Sequence, residues 1–222
     1  MSDRSATIER KSKETHIKAV LNIDGRGDRC EIKTGIGFLD HMIELFAFHG
    51  LFDLELDVIK SDTQIDIHHT NEDIGIVLGK AFKQALAEKS GIRRFGCAGA
   101  PMEATIARAI VDISGRGYFK LNLEDDRVVR IKDVVDLNDA RAAMKGMAGG
   151  DSEYSLSYLE HFMESLAHAM GATISITIQN VSDDIHTNVE AAFKALGLAL
   201  DEATRIDPRR EGIVPSTKGI ID

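Results

Sequence analysis

Residues 38–58, FLDHMIELFAFHGLFDLELDV, decide the fold, because the chain repeats their pattern at residues 158–178, YLEHFMESLAHAMGATISITI. The two stretches align without a gap, and the alignment places His41 on His161. Their separation is far longer than the period of a solenoid repeat, so the repetition indicates one duplicated supersecondary unit. The expected product is a single domain whose halves are related by a pseudo-twofold axis.

A second repeated segment follows each copy. HHTNE, which begins at His68, corresponds to HTNVE, which begins at His186, and in both a glutamate follows the first histidine by one helical turn. A third echo lies upstream, where IDGRG at 23–27 matches ISGRG at 113–117. Three echoes in the same order support duplication of the whole unit.

The echoes divide a single domain, 1–222, into two repeats of about 8–95 and 101–207. The stretch 124–153 has no counterpart in the first repeat and is rich in charge, so we interpret it as an extended loop inserted into the second. The tail, 208–222, carries basic residues that suit a small anion, and we expect it to bind phosphate.

Hydrophobic periodicity assigns elements to each half. Apolar and polar residues alternate over 52–58 and over 173–178, the pattern of half-buried strands. A helix precedes each strand, and an amphipathic stripe follows it over 74–85 and 189–200. Each half reads strand, turn, strand, helix, strand, helix. This order predicts an α+β fold in which each half is a roughly four-stranded antiparallel or mixed sheet with two helices on one face.

Composition limits the function classes. A chain of 222 residues that is 43% hydrophobic and 28% charged can bury an ordinary globular core. A net charge of −9 without tryptophan argues against nucleic-acid binding as the main activity. No stretch approaches the length of a membrane span and the start lacks an apolar signal region, so a cytoplasmic location is expected. Only Cys30 and Cys97 are present, which supports neither a disulfide framework nor a thiolate metal site.

Histidines and carboxylates must therefore supply any metal ligands. A lone histidine on an apolar helix is more often a packed core residue or a cap than a ligand. His68, His69 and Glu72 are grouped, however, and a helical turn brings His68 and Glu72 onto one face while His69 leans towards the next. One helix start could then serve two ions. Imidazole with carboxylate suits zinc, manganese, iron or nickel and does not choose among them.

At these residues the chain resembles a known family. The segments that carry the resemblance are DIHHTNED (66–73), GFLDHM (37–42), GIRRFG (91–96), SGR (114–116), EHF (160–162), EAAFKA (190–195) and PSTKG (215–219). Together, in this order along nearly the whole chain, they are similar to imidazoleglycerol-phosphate dehydratase of histidine biosynthesis. The last segment, read alone, is more typical of a turn near a chain end.

The resemblance implies an activity. Members of this family remove water from imidazole glycerol phosphate to give imidazole acetol phosphate. They use two manganese ions per site, with ligands from neighbouring subunits of a 24-subunit shell. The hydrogen to be removed lies on a carbon that is not next to a carbonyl, so activation must come from the imidazole ring. Metal ions that hold the ring as an imidazolate would let it expel the neighbouring hydroxyl through a diazafulvene-like intermediate.

The resemblance also implies site residues, carried over one by one. The metal ligands would be His41, His68, His69, Glu72, His161, His186 and Glu190. Catalytic roles would fall to Glu14, His69, Glu72 and Glu190, with Glu14 as acid and base; otherwise Glu14 is a solvated strand residue. The substrate and its phosphate would be held by Arg94, Arg116, Lys194, Ser216 and Lys218.

Several positions depart from the family pattern. Thr187 stands where the pattern has a second histidine, and a hydroxyl is a poor substitute for imidazole, so one ion is expected to be weakened. Asp183 or Asp184 could fill the vacant slot. Ala104 and Ser175 replace an expected glutamate and histidine.

Three interpretations stay open at this point. The first is an active dehydratase that tolerates the altered metal position. The second is a related lyase that acts on another small phosphorylated substrate. The third is a non-catalytic shell or metal-binding protein.

Overall fold

The computed structural model describes residues 4–63, 65–124 and 154–221. Over these residues the first half contains strands β1 (Ser5–Lys11), β2 (His16–Asn22), β3 (Cys30–Lys33) and β4 (Asp53–Lys60), with helices α1 (Gly37–His49) and α2 (His68–Leu86). The second half contains strands β5 (Phe95–Met102), β6 (Thr105–Asp112), β7 (Tyr118–Glu124) and β8 (Thr173–Gln179), with helices α3 (Leu156–Met170) and α4 (Ile185–Thr204). A short 3₁₀ helix, Pro208–Arg210, follows α4.

The two halves have the same sheet topology. The first sheet has the order β1-β2-β4-β3 and the second has the order β5-β6-β8-β7. In each sheet the first three strands are antiparallel, and the last pair, β3 with β4 or β7 with β8, is parallel. A helix connects each parallel pair, as parallel strands require. The predicted duplicated α+β fold with mixed four-stranded sheets is therefore confirmed.

The helices of one half pack against those of the other. α1 and α2 contact the first sheet, and α3 and α4 contact the second. Across the pseudo-twofold, α2 packs along α3, and α1 packs along α4. Each sheet thus covers a helical layer, and the two helical layers meet in the middle of the molecule.

Glycines allow these helices to approach closely. A Cβ atom added to Gly79 of α2 would lie 2.5 Å from the carbonyl oxygen of Leu166 in α3. A Cβ atom added to Gly197 of α4, the counterpart of Gly79, would lie 2.5 Å from the carbonyl oxygen of Phe46 in α1. No side chain fits between the paired backbones at either position. The closeness of both helix pairs therefore depends on glycine.

Aromatic rings fill the space between each sheet and its helices. In the first half, Phe52 lies 5.4 Å from Phe46 and 5.0 Å from Phe82 between ring centroids. In the second half, Phe162 of α3 and Phe193 of α4 lie 5.3 Å apart. Such tilted and edge-on pairs add to the apolar burial that fixes the helices on their sheets.

Part of the predicted domain organisation falls on residues that the structure does not describe. The insertion expected near 124–153 lies outside the described residues except for its first position, Glu124, which ends β7. The proposed limits of the repeats and of the phosphate-binding tail stay predictions. No helix in the described ranges is both long enough and apolar enough to cross a membrane.

The helix contacts make a prediction about stability. Gly79→Ala adds a methyl group where only backbone fits, so we expect the free energy of unfolding to fall by about 1–3 kcal/mol, although alanine is the better helix former. Urea unfolding measures the change. Gly37→Ala is the matched control, because an added Cβ atom there meets nothing within 4 Å. Equal stability of the two variants would contradict the close-contact account.

Candidate functional site

The first histidine–carboxylate cluster, defined here as His68, Glu72 and His161, lies where α2 begins beside α3. The Nδ1 atoms of His68 and His161 are 3.1 Å apart. Glu72 follows His68 by one helical turn, and its carboxylate lies 3.7 Å from Nε2 of His68. Asp66 fixes the helix start, because its carboxylate accepts hydrogen bonds from the His68 backbone N–H and the Tyr158 hydroxyl. The cluster therefore combines potential metal ligands from both repeats.

The second cluster, defined as His41, His186 and Glu190, is the pseudo-twofold counterpart of the first. His186 and Glu190 lie one turn apart on α4, and their side chains are 2.9 Å apart between Nε2 and Oε2. His41 comes from α1, 3.7 Å from the same carboxylate. Potential ligand atoms of all three residues lie within 4.8 Å of one another. This convergence is what a single metal ion requires.

Glu190 is the most enclosed member of the second cluster. It is buried, and Lys194, one turn later on α4, places its ammonium 2.5 Å from the second carboxylate oxygen. Burial opposes ionisation, but hydrogen bonds to Lys194 and His186 outweigh that effect and lower the pKa of the Glu190 carboxyl group. The carboxylate therefore stays charged and able to bind a cation.

The paired clusters explain the repeated motif. The histidine of each first helix meets the histidine and glutamate of the other half's second helix, so neither of these two clusters is formed by one repeat alone. Sequence comparison shows which residues correspond, and it does not show which ones touch. Each cluster combines residues of both halves because α2 packs on α3 and α1 packs on α4.

His69 belongs to a different group. Its ring lies edge-on to that of His68, and its Nδ1 lies 2.8 Å from the carboxylate of buried Asp62. Their hydrogen bond lowers the pKa of Asp62 and raises the pKa of His69. Potential ligand atoms of Glu14, Asp62 and His69 lie within 4.8 Å of one another. We call these three residues the His69 group; the sequence prediction missed Asp62.

Glu14 is held near His69 by the turn that joins β1 to β2. Its backbone N–H donates to the hydroxyl of Ser12, and the buried Thr15 donates its hydroxyl to Asp73 of α2 at 2.5 Å. Arg10 also contacts Asp73. The turn is thereby attached to α2, while the Glu14 side chain stays exposed. Glu14 is therefore an exposed carboxylate held beside the candidate metal ligand His69.

Among its described residues, the second half has no equivalent of the His69 group. Thr187 occupies the position that corresponds to His69, and it is buried with 4% of its surface exposed. Asp184 uses its carboxylate to accept the backbone N–H of His186 at the start of α4. That bond gives Asp184 a capping role. The two halves therefore have matching clusters, but they differ at the residue after the helix-start histidine, which is His69 in the first half and Thr187 in the second.

The expected phosphate residues gather in part. Arg94 forms a fork with Asp112, at 2.7 and 3.2 Å, and donates to the carbonyl oxygen of Pro215 at 3.0 Å. This contact brings the tail that contains Ser216 and Lys218 to the end of β6, two residues before the SGR turn of Arg116. Lys194 instead lies at the second cluster. Within one chain, the structure therefore brings the tail to Arg94 and does not bring Lys194 there.

The donor atoms fit divalent metal ions. Imidazole nitrogen and carboxylate oxygen are ligands for manganese, zinc, iron and nickel, and the second cluster already converges. The described residues thus define a duplicated α+β protein with two histidine–carboxylate clusters, each shared between its repeats, and a basic tail beside Arg94. This is the class of protein in which a metal-assisted reaction on a small anionic substrate can occur.

Comparison with known proteins narrows the class. The profile of the imidazoleglycerol-phosphate dehydratase family matches residues 34–200. The imidazoleglycerol-phosphate dehydratase of Pelobacter propionicus is 49% identical over 218 residues, 98% of this chain and 99% of the relative. That of Geobacter metallireducens is 45% identical over 216 residues, 97% and 98% of the two chains. The chain belongs to the imidazoleglycerol-phosphate dehydratase family, as the resemblance predicted, and is a hydro-lyase of the histidine biosynthesis type.

Solved structures agree with this assignment. The imidazoleglycerol-phosphate dehydratase of Pyrococcus furiosus, solved with the compound (S)-C348, has a TM-score of 0.72 at 32% identity, covering 96% of this chain and 99% of that one. The Staphylococcus aureus enzyme has a TM-score of 0.69 at 27% identity, covering 91% and 99%. The duplicated fold is therefore the fold of the family.

The Arg94 fork predicts how the tail responds to mutation. Asp112→Asn removes the charge that holds Arg94, so we expect trypsin to cleave at Arg210 and Lys218 about fivefold faster, as for loss of roughly 1 kcal/mol in a partly exposed ion pair. Mass spectrometry of timed digests measures the rates. Glu31→Gln, which breaks the exposed ion pair with Lys33 in the first half, is the control. Unchanged tail cleavage in Asp112→Asn would contradict the tethering role of Arg94.

Proposed function

We propose that this protein catalyses the manganese-dependent dehydration of imidazole glycerol phosphate to imidazole acetol phosphate. The observation that carries the proposal is the convergence of His41, His186 and Glu190 from two repeats within 4.8 Å. Family membership supports the substrate, because the relatives from Pelobacter and Geobacter carry the dehydratase name. The expected cytoplasmic location is part of this proposal.

The metal ligands would be shared between the two clusters and the His69 group. His68, Glu72 and His161 would hold one ion, and His41, His186 and Glu190 would hold the other. His69 would complete a site through its exposed Nε2 atom, in a neighbouring subunit of the proposed 24-subunit shell. Thr187 offers no equivalent nitrogen, so one ion is held more weakly. Bound manganese would supply Lewis-acid activation of the substrate imidazole.

The remaining residues would bind the substrate and move its proton. Glu14 would take the proton from carbon and return one to the departing hydroxyl, because its carboxylate is exposed beside His69 on a turn fixed to α2. The phosphate would be held by Arg94, Arg116, Lys194, Ser216 and Lys218. Lys194 also forms an ion pair with Glu190. If Lys194 binds the substrate phosphate as well, its ammonium would lie between the metal ligand Glu190 and the substrate. Glu72 and Glu190 would tune the charge at the metal ions.

A related lyase is the second candidate. Ala104 lies in the turn between β5 and β6, where its carbonyl oxygen accepts from Asn180, and Ser175 lies half-buried on β8. Neither residue can supply the carboxylate or imidazole that the family pattern has there. The phosphate residues are retained, so a different small phosphorylated substrate would fit these changes. The third candidate, a non-catalytic shell or metal-binding protein, is favoured only by Thr187.

Turnover of imidazole glycerol phosphate tests the proposal directly. We expect metal-free protein reconstituted with manganese to form imidazole acetol phosphate, with bound manganese counted on the same sample. Activity with nearly two ions per chain would make Thr187 a tolerated variation. Absence of turnover, with one ion or none, would contradict the proposed dehydratase activity, and a panel of phosphorylated imidazoles would then test the related lyase.

Glu14→Gln separates proton transfer from metal binding. The amide cannot act as a base, so we expect kcat to fall by about 10²–10⁴-fold, while bound manganese per chain stays at the wild-type value. Steady-state kinetics and metal analysis give the two numbers. Glu9→Gln, which alters an exposed carboxylate on β1, is the control. If Glu14→Gln kept the wild-type kcat, Glu14 would be a solvated residue without a catalytic role.

His69→Ala tests the expected link between metal and assembly. We predict fewer bound manganese ions and a smaller oligomer, because an exposed ligand would be lost between subunits. Light scattering on metal-loaded protein measures the oligomer. His168→Ala changes an exposed histidine farther along α3 and is the control. Unchanged metal content and assembly in His69→Ala would exclude His69 as a bridging ligand.

A further inference from the structure

Asp62 is a buried carboxylate directly behind a candidate metal ligand. It lies in the loop between β4 and α2 and is only 6% exposed. One oxygen lies 2.8 Å from Nδ1 of His69, and the other accepts from the hydroxyl of Thr70 at 3.2 Å. The His69 side chain, in contrast, is 47% exposed. The carboxylate therefore faces the protein and the ring faces outward.

This geometry determines which nitrogen of His69 can bind a metal. A carboxylate accepts hydrogen bonds and donates none, so Nδ1 of His69 must carry the proton between them. In the neutral ring the lone pair is then on Nε2. Metal-binding histidines commonly donate their other N–H to a carboxylate, which fixes the ring and strengthens the ligand. Asp62 and His69 have this arrangement.

We propose that Asp62 is a positioning residue that holds His69 in the tautomer and orientation needed to bind manganese through Nε2. This inference rests on the proposed manganese-dependent function and adds a residue to it. Each oxygen of Asp62 already accepts a hydrogen bond, one from His69 and one from Thr70, so the proposal assigns Asp62 to the support of His69 and not to the ion. Thr70 in turn is fully buried, so the carboxylate has one stable orientation.

The second half provides an internal comparison. Continued past the strands, the gapless alignment of the two halves places Ser182 opposite Asp62. The backbone N–H and carbonyl of Ser182 pair with the side chain of Asn188 in α4, as the carboxylate of Asp62 pairs with side chains of α2. The candidate ligand and its support are therefore replaced together, His69 by Thr187 and Asp62 by Ser182.

A double-mutant cycle in manganese affinity tests the proposal. Manganese is titrated into metal-free wild-type protein, Asp62→Asn, His69→Ala and the double variant, and free Mn²⁺ is measured by electron paramagnetic resonance. We expect Asp62→Asn to weaken manganese binding by about 10–100-fold when His69 is present. In the His69→Ala background the same change should have almost no effect, because there is no ring left to orient.

Two further variants keep the test decisive. Asp57→Asn removes the same charge from an exposed position on β4 and should bind manganese like wild type. Asp62→Glu keeps a carboxylate near the ring and should retain more affinity than Asp62→Asn. If Asp62→Asn does not fold, Asp62→Ser, which introduces the residue found at the matching position of the second half, replaces it in both backgrounds of the cycle.

The measured manganese affinities either support or overturn the positioning role of Asp62. Wild-type affinity in the Asp62 variant, or an equal loss with and without His69, would overturn the proposal; the second result would make Asp62 a ligand itself. Failure of wild-type protein to bind manganese would overturn both the inference and the proposed metal dependence. If the affinities follow the expected cycle but the protein does not turn over imidazole glycerol phosphate, the role of Asp62 is supported and only the dehydration reaction is rejected.

Discussion

The close contact of helices from opposite repeats is the constraint on which the rest of the structure depends. Gly79 and Gly197 let α2 meet α3, and α1 meet α4, at backbone distance. At that distance a histidine on one helix reaches a histidine and glutamate on the other. Packing energy from the aromatic and aliphatic core, rather than the polar cluster, holds the helices there. The clusters are therefore a product of the fold and add little to its stability.

The repeated sequence explains why there are two clusters, but a small difference separates them. The first helix start carries His69 next to His68, whereas the second carries Thr187 next to His186. The loop before each helix differs in the same sense, with Asp62 in one and Ser182 in the other. Duplication thus produced two matching clusters, while among the described residues only the first half places a buried loop carboxylate behind the imidazole that follows.

Much of the fold could be predicted from periodicity. The alternation in β4 and β8 and the stripes of α2 and α4 are long enough to identify strand and helix. β3 is only four residues long, and a stretch of that length carries no readable period. The repeated histidines indicated metal binding, yet their pairing across halves depends on tertiary contacts that no local pattern encodes. Asp112 and Asp62 were missed for the same reason, because each is recognised only by the side chain it holds.

Each of the two histidine–carboxylate clusters draws its residues from both repeats, and we propose that each binds a manganese ion. Crystals of manganese-loaded protein measured at the manganese absorption edge would locate the ions directly. We predict anomalous peaks at His41, His186 and Glu190 and at His68, Glu72 and His161, with the ligands of each ion drawn from both halves. Peaks ligated by residues of a single half, or the absence of any peak at these clusters in metal-loaded crystals, would contradict this proposal.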